Sequence, residues 1–490
     1  MRRLRSDKLK IVVYSLFHLA LLPSTSERGY DTLYAAIHRL NDDILLDIFN
    51  CYRLDDENGW NARFGWCKLF HVCQRWRHLM YESTFYLDMH IRCTNGTPIL
   101  DRLDHLPPLP LVVDYRYTIA EQDELGIYHA LRLRDRVRIV HLRLPPLILH
   151  KCLVLMDQHF TILEDLSLSF ADDKIKTLTL PKAFLAPNLR RLDLPGIGLP
   201  KRLRVLTSTD SLVTLMLLNI QASGYFRPRL LVARLGSLPQ LEELSIGFSI
   251  PIPRPSAERE LLGEERTPVA LPNLKTLVFQ GVSAYLESLI AQIRAPLLKR
   301  LDITLFNQIA FALPHLCHLM NITAGLKLLA AKVYFHFDQV SILTASHGSQ
   351  WFDGPILLRV ICKQFDWQID CAAQICSALV PALSDVGRFT LEYFSYRMPT
   401  KWGNGEIDGT TWHELLRSFI GVKELHIDGG LLKEVSRALL VDEVGSDPSF
   451  LPDLQYIVAA DIVAAENRFA SFIHARRVVG RPVRISGLSL

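Results

Sequence analysis

The amino-acid sequence predicts a mixed fold, α+β passing into an α/β repeat: a small N-terminal helical module, then a curved, solenoid-like sheet that gains one strand per repeat. Two observations carry this reading. Between residues 37 and 87 stand two short amphipathic helical stripes. Beyond them the pattern Leu-x-x-Leu-x-apolar returns at intervals that chance clustering of leucine does not produce. The length of 490 residues agrees, because single compact cores stop growing well below that size.

Composition narrows the class. Hydrophobic residues make up 49 % and charged residues 22 % of the chain, with 23 Phe, 15 Tyr and 7 Trp, which excludes a disordered protein. A net charge of +4 is too small to mark a nucleic-acid binder. The densest basic run, Arg132, Arg134, Arg136 and Arg138, has the alternation that would place four arginines on one side of an extended segment. With no aromatics between them it reads as a solvated face. The 9 cysteines are dilute and contain no Cys-x-x-Cys pair, so no zinc or redox motif is expected. That usage suits the reducing cytoplasm or nucleus.

Residues 1–36 form an N-terminal extension with a short apolar segment, Ile11 to Leu22, behind a basic start. Twelve apolar residues are too few to span a bilayer, so no transmembrane span is expected. The same features resemble a short secretory signal, and that alternative stays open. The sequons at Asn95 and Asn321 matter only under it.

The helical module occupies residues 37–87. Asn41 is placed to cap a helix, Asp42 and Asp43 suit its first turn, and Ile44, Leu45, Ile48, Phe49 and Tyr52 fall on one stripe. The polar run from Leu54 to Gly59 is expected to end it. A second helix is expected over Trp66, Leu69, Phe70, Val72, Cys73, Trp76 and Leu79 or Met80, with Lys68, Gln74, Arg75 and Arg77 opposite. Two helices this short cannot bury both stripes alone, so they must pack on the rest of the chain or on a partner.

The repetitive part spans residues 88–490. The clearest copies are Leu163/Leu166/Leu168, Leu189/Leu192/Leu194, Leu212/Leu215/Leu217, Leu241/Leu244/Ile246, Leu274/Leu277/Phe279 and Leu298/Leu301/Ile303. Their leading positions are separated by 26, 23, 29, 33 and 24 residues, close to the roughly 20 to 29 of leucine-rich repeats. Later copies are Val422/Leu425/Ile427 and the weaker Leu454/Ile457. Pro187, Pro239, Pro272, Pro296 and Pro452 each stand two residues before a leading leucine. Within each copy the second leucine and the last apolar residue should point into the stack, leaving the residues between them on an outer sheet face. That face would carry Arg191, Asp193, Thr214, Met216, Glu243, Ser245, Thr276, Val278, Arg300 and Asp302. Substrate contacts are expected at Arg191, Asp193, Glu243, Ser245, Thr276, Arg300 and Asp302. From Leu305 to Gly421 the phase is lost and degenerate repeats are expected, with a helix over Asp366–Leu379 and a strand over Arg388–Tyr396.

The helical module resembles the F-box, with an Ile-Leu-x-x-Ile-Phe helix followed by Val-Cys-x-x-Trp. Here these read Leu40, Ile44-Leu45, Ile48-Phe49, Leu69, Val72-Cys73 and Trp76. Asn41 stands where the family usually has proline, and the link between the helices is longer than usual. The wider layout is similar to a large group of F-box proteins from mushroom-lineage fungi. Leu87-Asp88-x-x-Ile91, the turn Thr94-x-Gly96-Thr97-Pro98, the strand Leu109 to Val113 and the strand Arg136 to Leu144 match that group. The resemblance covers most of residues 37–310. It implies a substrate-recognition subunit of a ubiquitin ligase of the Skp, cullin and F-box type. Leu40, Ile44, Leu45, Ile48, Phe49, Leu69, Val72, Cys73 and Trp76 would bind the Skp-type adaptor, and through it a cullin, while the repeats bind a target protein of unknown identity. The alternative is a leucine-rich-repeat binding module with no ubiquitin role.

Nothing positive supports an enzyme. His413-Glu414 opens like a zinc-protease helix, but Arg417 stands where the second metal-binding histidine is required. Gly403-Asn404-Gly405 lacks the third glycine of a dinucleotide turn. No phosphate loop or nucleophile elbow occurs, so no cofactor, metal or catalytic residue is expected.

Overall fold

The structure, a computed structural model, describes residues 39–57, 69–83, 90–94, 109–116, 123–171, 178–200, 204–251, 268–346, 351, 354–394, 409–439 and 450–487. The chain divides into two compact units, Met1–Arg143 and Leu144–Leu490. Both are mixed α/β, and the second is dominated by a large, mostly parallel, open sheet. Residues 1–38, with the apolar segment Ile11 to Leu22, lie outside the described residues, as do Trp66, Lys68, Leu87 and the Thr94 turn beyond its first residue.

In the first unit the helix Asp42–Glu57 is followed by a single 3₁₀ turn at Leu69 and by the helix Gln74–Glu82. The first helix does not stop at the polar run but continues through Leu54-Asp55-Asp56 to Glu57. The second helix is shorter than its apolar pattern suggests. Cys73 is its cap, with Sγ accepting from the Trp76 N–H at 3.5 Å, so Leu69 and Val72 precede the helix rather than lie in it.

Three parallel strands complete this unit: β1 (Ile91–Cys93), β2 (Leu111–Tyr115) and β3 (Val137–Leu144). Their alternate residues Ile91, Cys93, Leu111, Val113, Val140 and Leu142 are buried. The helix Glu124–Arg132 packs beside β1 and β2, capped by Asp123, whose Oδ1 accepts from the Gly126 N–H at 2.9 Å. The arginine run is not one extended stripe. Arg132 ends this helix, Arg134 and Arg136 lie in the turn after it, and Arg138 alone lies in β3.

The second unit runs β4 (Asp165–Phe170), β5 (Leu178–Thr179), β6 (Arg191–Asp193), β7 (Ile197–Gly198), β8 (Thr214–Ile220), β9 (Glu243–Phe248), β10 (Val269–Ala270), β11 (Thr276–Gly281), β12 (Ile293–Arg294) and β13 (Arg300–Phe306). It continues with β14 (Ala330–Phe335), β15 (Gln339–Ala345), β16 (Ile356–Ile361), β17 (Arg388–Tyr393), β18 (Glu424–Ile427), β19 (Tyr456–Ala459) and β20 (Arg484–Ser486). Within the unit the main sheet follows β4-β6-β8-β9-β11-β13-β16-β15-β14-β17-β18-β19-β20, while β5 with β7 and β10 with β12 form separate pairs.

The leucine pattern explains the ladder from β4 to β13. Leu166, Leu192, Leu215, Leu244, Leu277 and Leu301 stand in one register row, and all are buried. The leading leucines 163, 189, 212, 241, 274 and 298 are buried as well. The prolines have a specific task. Leu189, Leu241, Leu274, Leu298 and Leu454 each close a β-turn by donating N–H to the residue three before, and Pro187, Pro239, Pro272, Pro296 and Pro452 occupy the second position of that turn. Proline's fixed φ favours that position. Asn188 and Asn273, third in their turns, reach back to the Thr161 and Pro239 carbonyls at 2.7 and 2.9 Å and tie each repeat to the one before.

The expectation of degenerate repeats after Leu305 is corrected. β14 and β15 are an antiparallel hairpin joined by His336-Phe337-Asp338, and β16 is antiparallel to β15. The chain therefore passes beyond two positions to lay β14, returns through β15, and places β16 beside β13 before crossing back to β17. A three-residue connection permits only antiparallel pairing, which explains why the parallel phase breaks here. The helix Phe365–Ala378 and strand β17 match the expected helix and strand within a few residues.

Candidate functional site

Two surfaces carry the residues singled out by the sequence. In the helical pair, the Asn41 side chain accepts from the Ile44 N–H at 3.0 Å and supplies the expected cap. The helices are clamped by the Phe49 and Trp76 rings, with centroids 4.7 Å apart at 60°, and by Arg75, which donates to Asp42 Oδ1 and to the Leu40 carbonyl, each at 2.6 Å. Leu45, Phe49, Leu69 and Trp76 are buried, and Leu40, Ile48 and Cys73 are half-buried. Ile44 and Val72, by contrast, are 46 % and 43 % exposed. The predicted set therefore separates into a clamp that holds the pair together and two apolar side chains that remain in solvent.

The second surface is the face of the main sheet opposite its leucine rows. Arg191, Thr214, Glu243, Thr276 and Arg300 form one register row across β6, β8, β9, β11 and β13; Asp193, Met216, Ser245, Val278 and Asp302 form the next. The residues named from the sequence thus share one face. They are not equally available. Arg191, Glu243 and Arg300 are exposed, and Asp193, Thr276 and Asp302 are half-buried. Ser245 is only 4 % exposed and offers little to a partner. A residue inside a ladder has neighbours on both sides, so a side chain as short as serine sinks below them. Asp193 accepts from the Ser167 hydroxyl at 3.2 Å, and Asp302 accepts from Arg359 at 3.0 Å.

Sequence reasoning missed the part of this face contributed by β14 to β17. Ala331, Val333 and Phe335 are buried, which leaves Lys332, Tyr334 and His336 on the open side, across from Thr390 and Glu392 of β17. Strict alternation in Ala331 to His336 was the available signal, but it lies outside the leucine template. In the first unit a further cluster escaped notice: Asp114, nearly buried, accepts from Arg116 at 3.0 Å and from Arg92 at 3.1 Å. Burial alone pushes its carboxyl up, but the hydrogen bonds from Arg116 and the charges of Arg116, Arg92 and His141 outweigh burial and hold it below the usual carboxylate range.

Among the described residues no three His, Cys, Asp or Glu side chains gather in a geometry that would hold a metal, and no helix is long and apolar enough to cross a membrane. No protein-family model matches the chain, and the comparison with curated proteins returns no match.

Proposed function

We propose that this chain is a binding protein that works through two separate surfaces, an apolar helical one and a polar sheet face. More particularly, we read it as an F-box substrate receptor: the helical pair binds a Skp-type adaptor of a cullin ubiquitin ligase, and the leucine-repeat face selects a target protein. The observation that supports this reading is the solvent exposure of Ile44 and Val72 on a pair whose Leu45, Phe49, Leu69 and Trp76 are buried between the helices. A helical cap that merely closed a repeat array would turn those side chains inward. Exposed aliphatic groups beside a rigid aromatic clamp are what a helix-groove interface requires.

Co-expression with a fungal Skp-type adaptor tests the reading. The wild-type chain should retain the adaptor on affinity capture, and Ile44→Asp with Val72→Asp should abolish retention without lowering the melting temperature. No retention by the folded wild type, or equal retention by the double variant, refutes it. In that event the sheet face remains a binding surface without a ubiquitin role.

A further inference from the structure

We propose that the sheet face of the second unit anchors its partner at an aromatic rim where β14 and β17 end, and that the partner presents an arginine or lysine side chain there. This rests on the reading of that face as a protein-binding surface, and it names the chemistry recognised. The rim is built around His336, whose ring stacks on Phe394 at 5.1 Å and 23° and lies 4.2 Å from Phe337. Its Nδ1 is 2.8 Å from Asp338 Oδ1. Phe337 is 70 % exposed and Phe394 38 % exposed, large apolar rings on a face that also carries the exposed Arg191, Glu243 and Arg300.

The turn that carries His336 and Phe337 is tied to its neighbours. The Gln368 amide, buried in the helix Phe365–Ala378, donates to the His336 and Cys362 carbonyls, each at 2.7 Å, and so ties the hairpin turn to the end of β16. Ordered aromatics on a fixed platform are the usual anchors of a protein interface, because little conformational entropy is lost when they are covered.

The charges decide the partner. Two basic groups belonging to this face already sit between an aromatic ring and a carboxylate. Lys332 Nζ is 4.9 Å from the Trp351 ring centroid and 2.8 Å from Glu392, and His336 is placed in the same way between its rings and Asp338. The outer side of Phe337 and the half-exposed Asp338 carboxylate offer this combination once more to an incoming group, with the Glu392 carboxylate on the neighbouring strand. An acidic side chain would meet those carboxylates, and a purely apolar one would strip water from them without return. A guanidinium or ammonium satisfies ring and carboxylate together.

A positional-scanning array of immobilised ten-residue peptides, probed with the full chain, tests the assignment. Arginine or lysine should be enriched at least fivefold over leucine and glutamate at one position. In solution the best basic peptide should bind at least tenfold more weakly to Phe337→Ala/Phe394→Ala. Asp338→Asn should lower its affinity about threefold while leaving a leucine-substituted peptide unchanged. Both variants should melt as the wild type does. An array with no basic preference, an acidic or leucine preference, or equal binding by the double phenylalanine variant overturns the proposal. Adaptor capture should be unaffected by all three substitutions, so failure of the adaptor experiment with a basic preference retained rejects the ligase reading and leaves this one standing.

Discussion

Replacing Glu287 should weaken the second unit by an amount the structure fixes within narrow limits. The helix Pro314–Ile322 opens at Leu313, which supplies no side-chain cap. Glu287, on the helix Ser283–Ile290 of the neighbouring repeat, provides one instead: its carboxylate accepts from the His315 N–H at 2.7 Å and from the Leu316 N–H at 3.0 Å. A lost helix cap costs typically about 1 kcal/mol. Here two charge-assisted bonds disappear at a site 5 % exposed, each worth roughly 1.5 to 3 kcal/mol before the cost of burying the charge is set against them. Glu287→Ala should therefore lose about 2 to 3 kcal/mol in urea unfolding followed by circular dichroism. Burial pushes the Glu287 carboxyl above its ordinary value even though the two N–H groups pull it down. A raised folded value means that its contribution is complete below the unfolded value and fades as pH rises through the folded one. The advantage of wild type over Glu287→Gln should accordingly be larger at pH 5 than at pH 7. A loss under about 0.5 kcal/mol for the alanine variant, well below one helix cap, or an advantage that grows with pH, would refute the reasoning.

Trp76→Ala should destabilise the helical pair by about 3 to 5 kcal/mol, since a buried ring packed at a tilt against Phe49 is removed; limited proteolysis should then cut within Asp42–Glu82. Asp114→Asn should cost about 1 to 2 kcal/mol at pH 7, because the partners Arg92 and Arg116 are themselves partly solvated. The lowered carboxyl of Asp114 stabilises the fold above its unfolded value and ceases to do so as pH falls through the folded one, so that difference should close in acid, as read by melting at pH 7 and pH 3. Arg359→Ala should cost about 1 to 2 kcal/mol by releasing Asp302 and Thr304, with amide exchange accelerating in β13 and β16 before other strands.

The regular parts were legible because one local rule repeats. Leucine spacing set the strands, and proline two residues before five of the leading leucines marked the turns, since proline's φ and the turn's second position coincide. Asn41 was legible as a cap for a similar reason: a single side chain reaches its own backbone. What escaped depends on contacts between distant segments. The apolar run from Leu69 to Met80 has helical spacing throughout, yet Cys73 caps at its middle, because the Arg77 guanidinium bonds the Phe70 carbonyl at 2.9 Å and fixes a turn ahead of the helix. Alternating arginines at 132 to 138 satisfy a strand pattern as well as a helix end followed by a turn, and Asp123 decides the matter by capping the helix that ends at Arg132. Outward residues could be assigned to a face but not to a depth, as Ser245 demonstrates.

The insertion of β14 to β16 has a consequence for the whole face. In the parallel ladder every outward side chain is flanked by a neighbour at strand spacing, so bulky groups there crowd one another and short ones sink. A hairpin relieves that constraint only at its turn, where the chain leaves the ladder and its side chains have neighbours on one side. His336, Phe337 and Asp338 form that turn. The break in repeat phase and the exposure of His336 and Phe337 are therefore the same structural event: antiparallel return frees a turn, and the freed turn projects these two rings toward Phe394 at the end of β17. Shortening the turn by deleting Phe337 should leave the inward ladder residues Val333 and Ile342 paired while removing the rim, so that fold and recognition separate at a single residue.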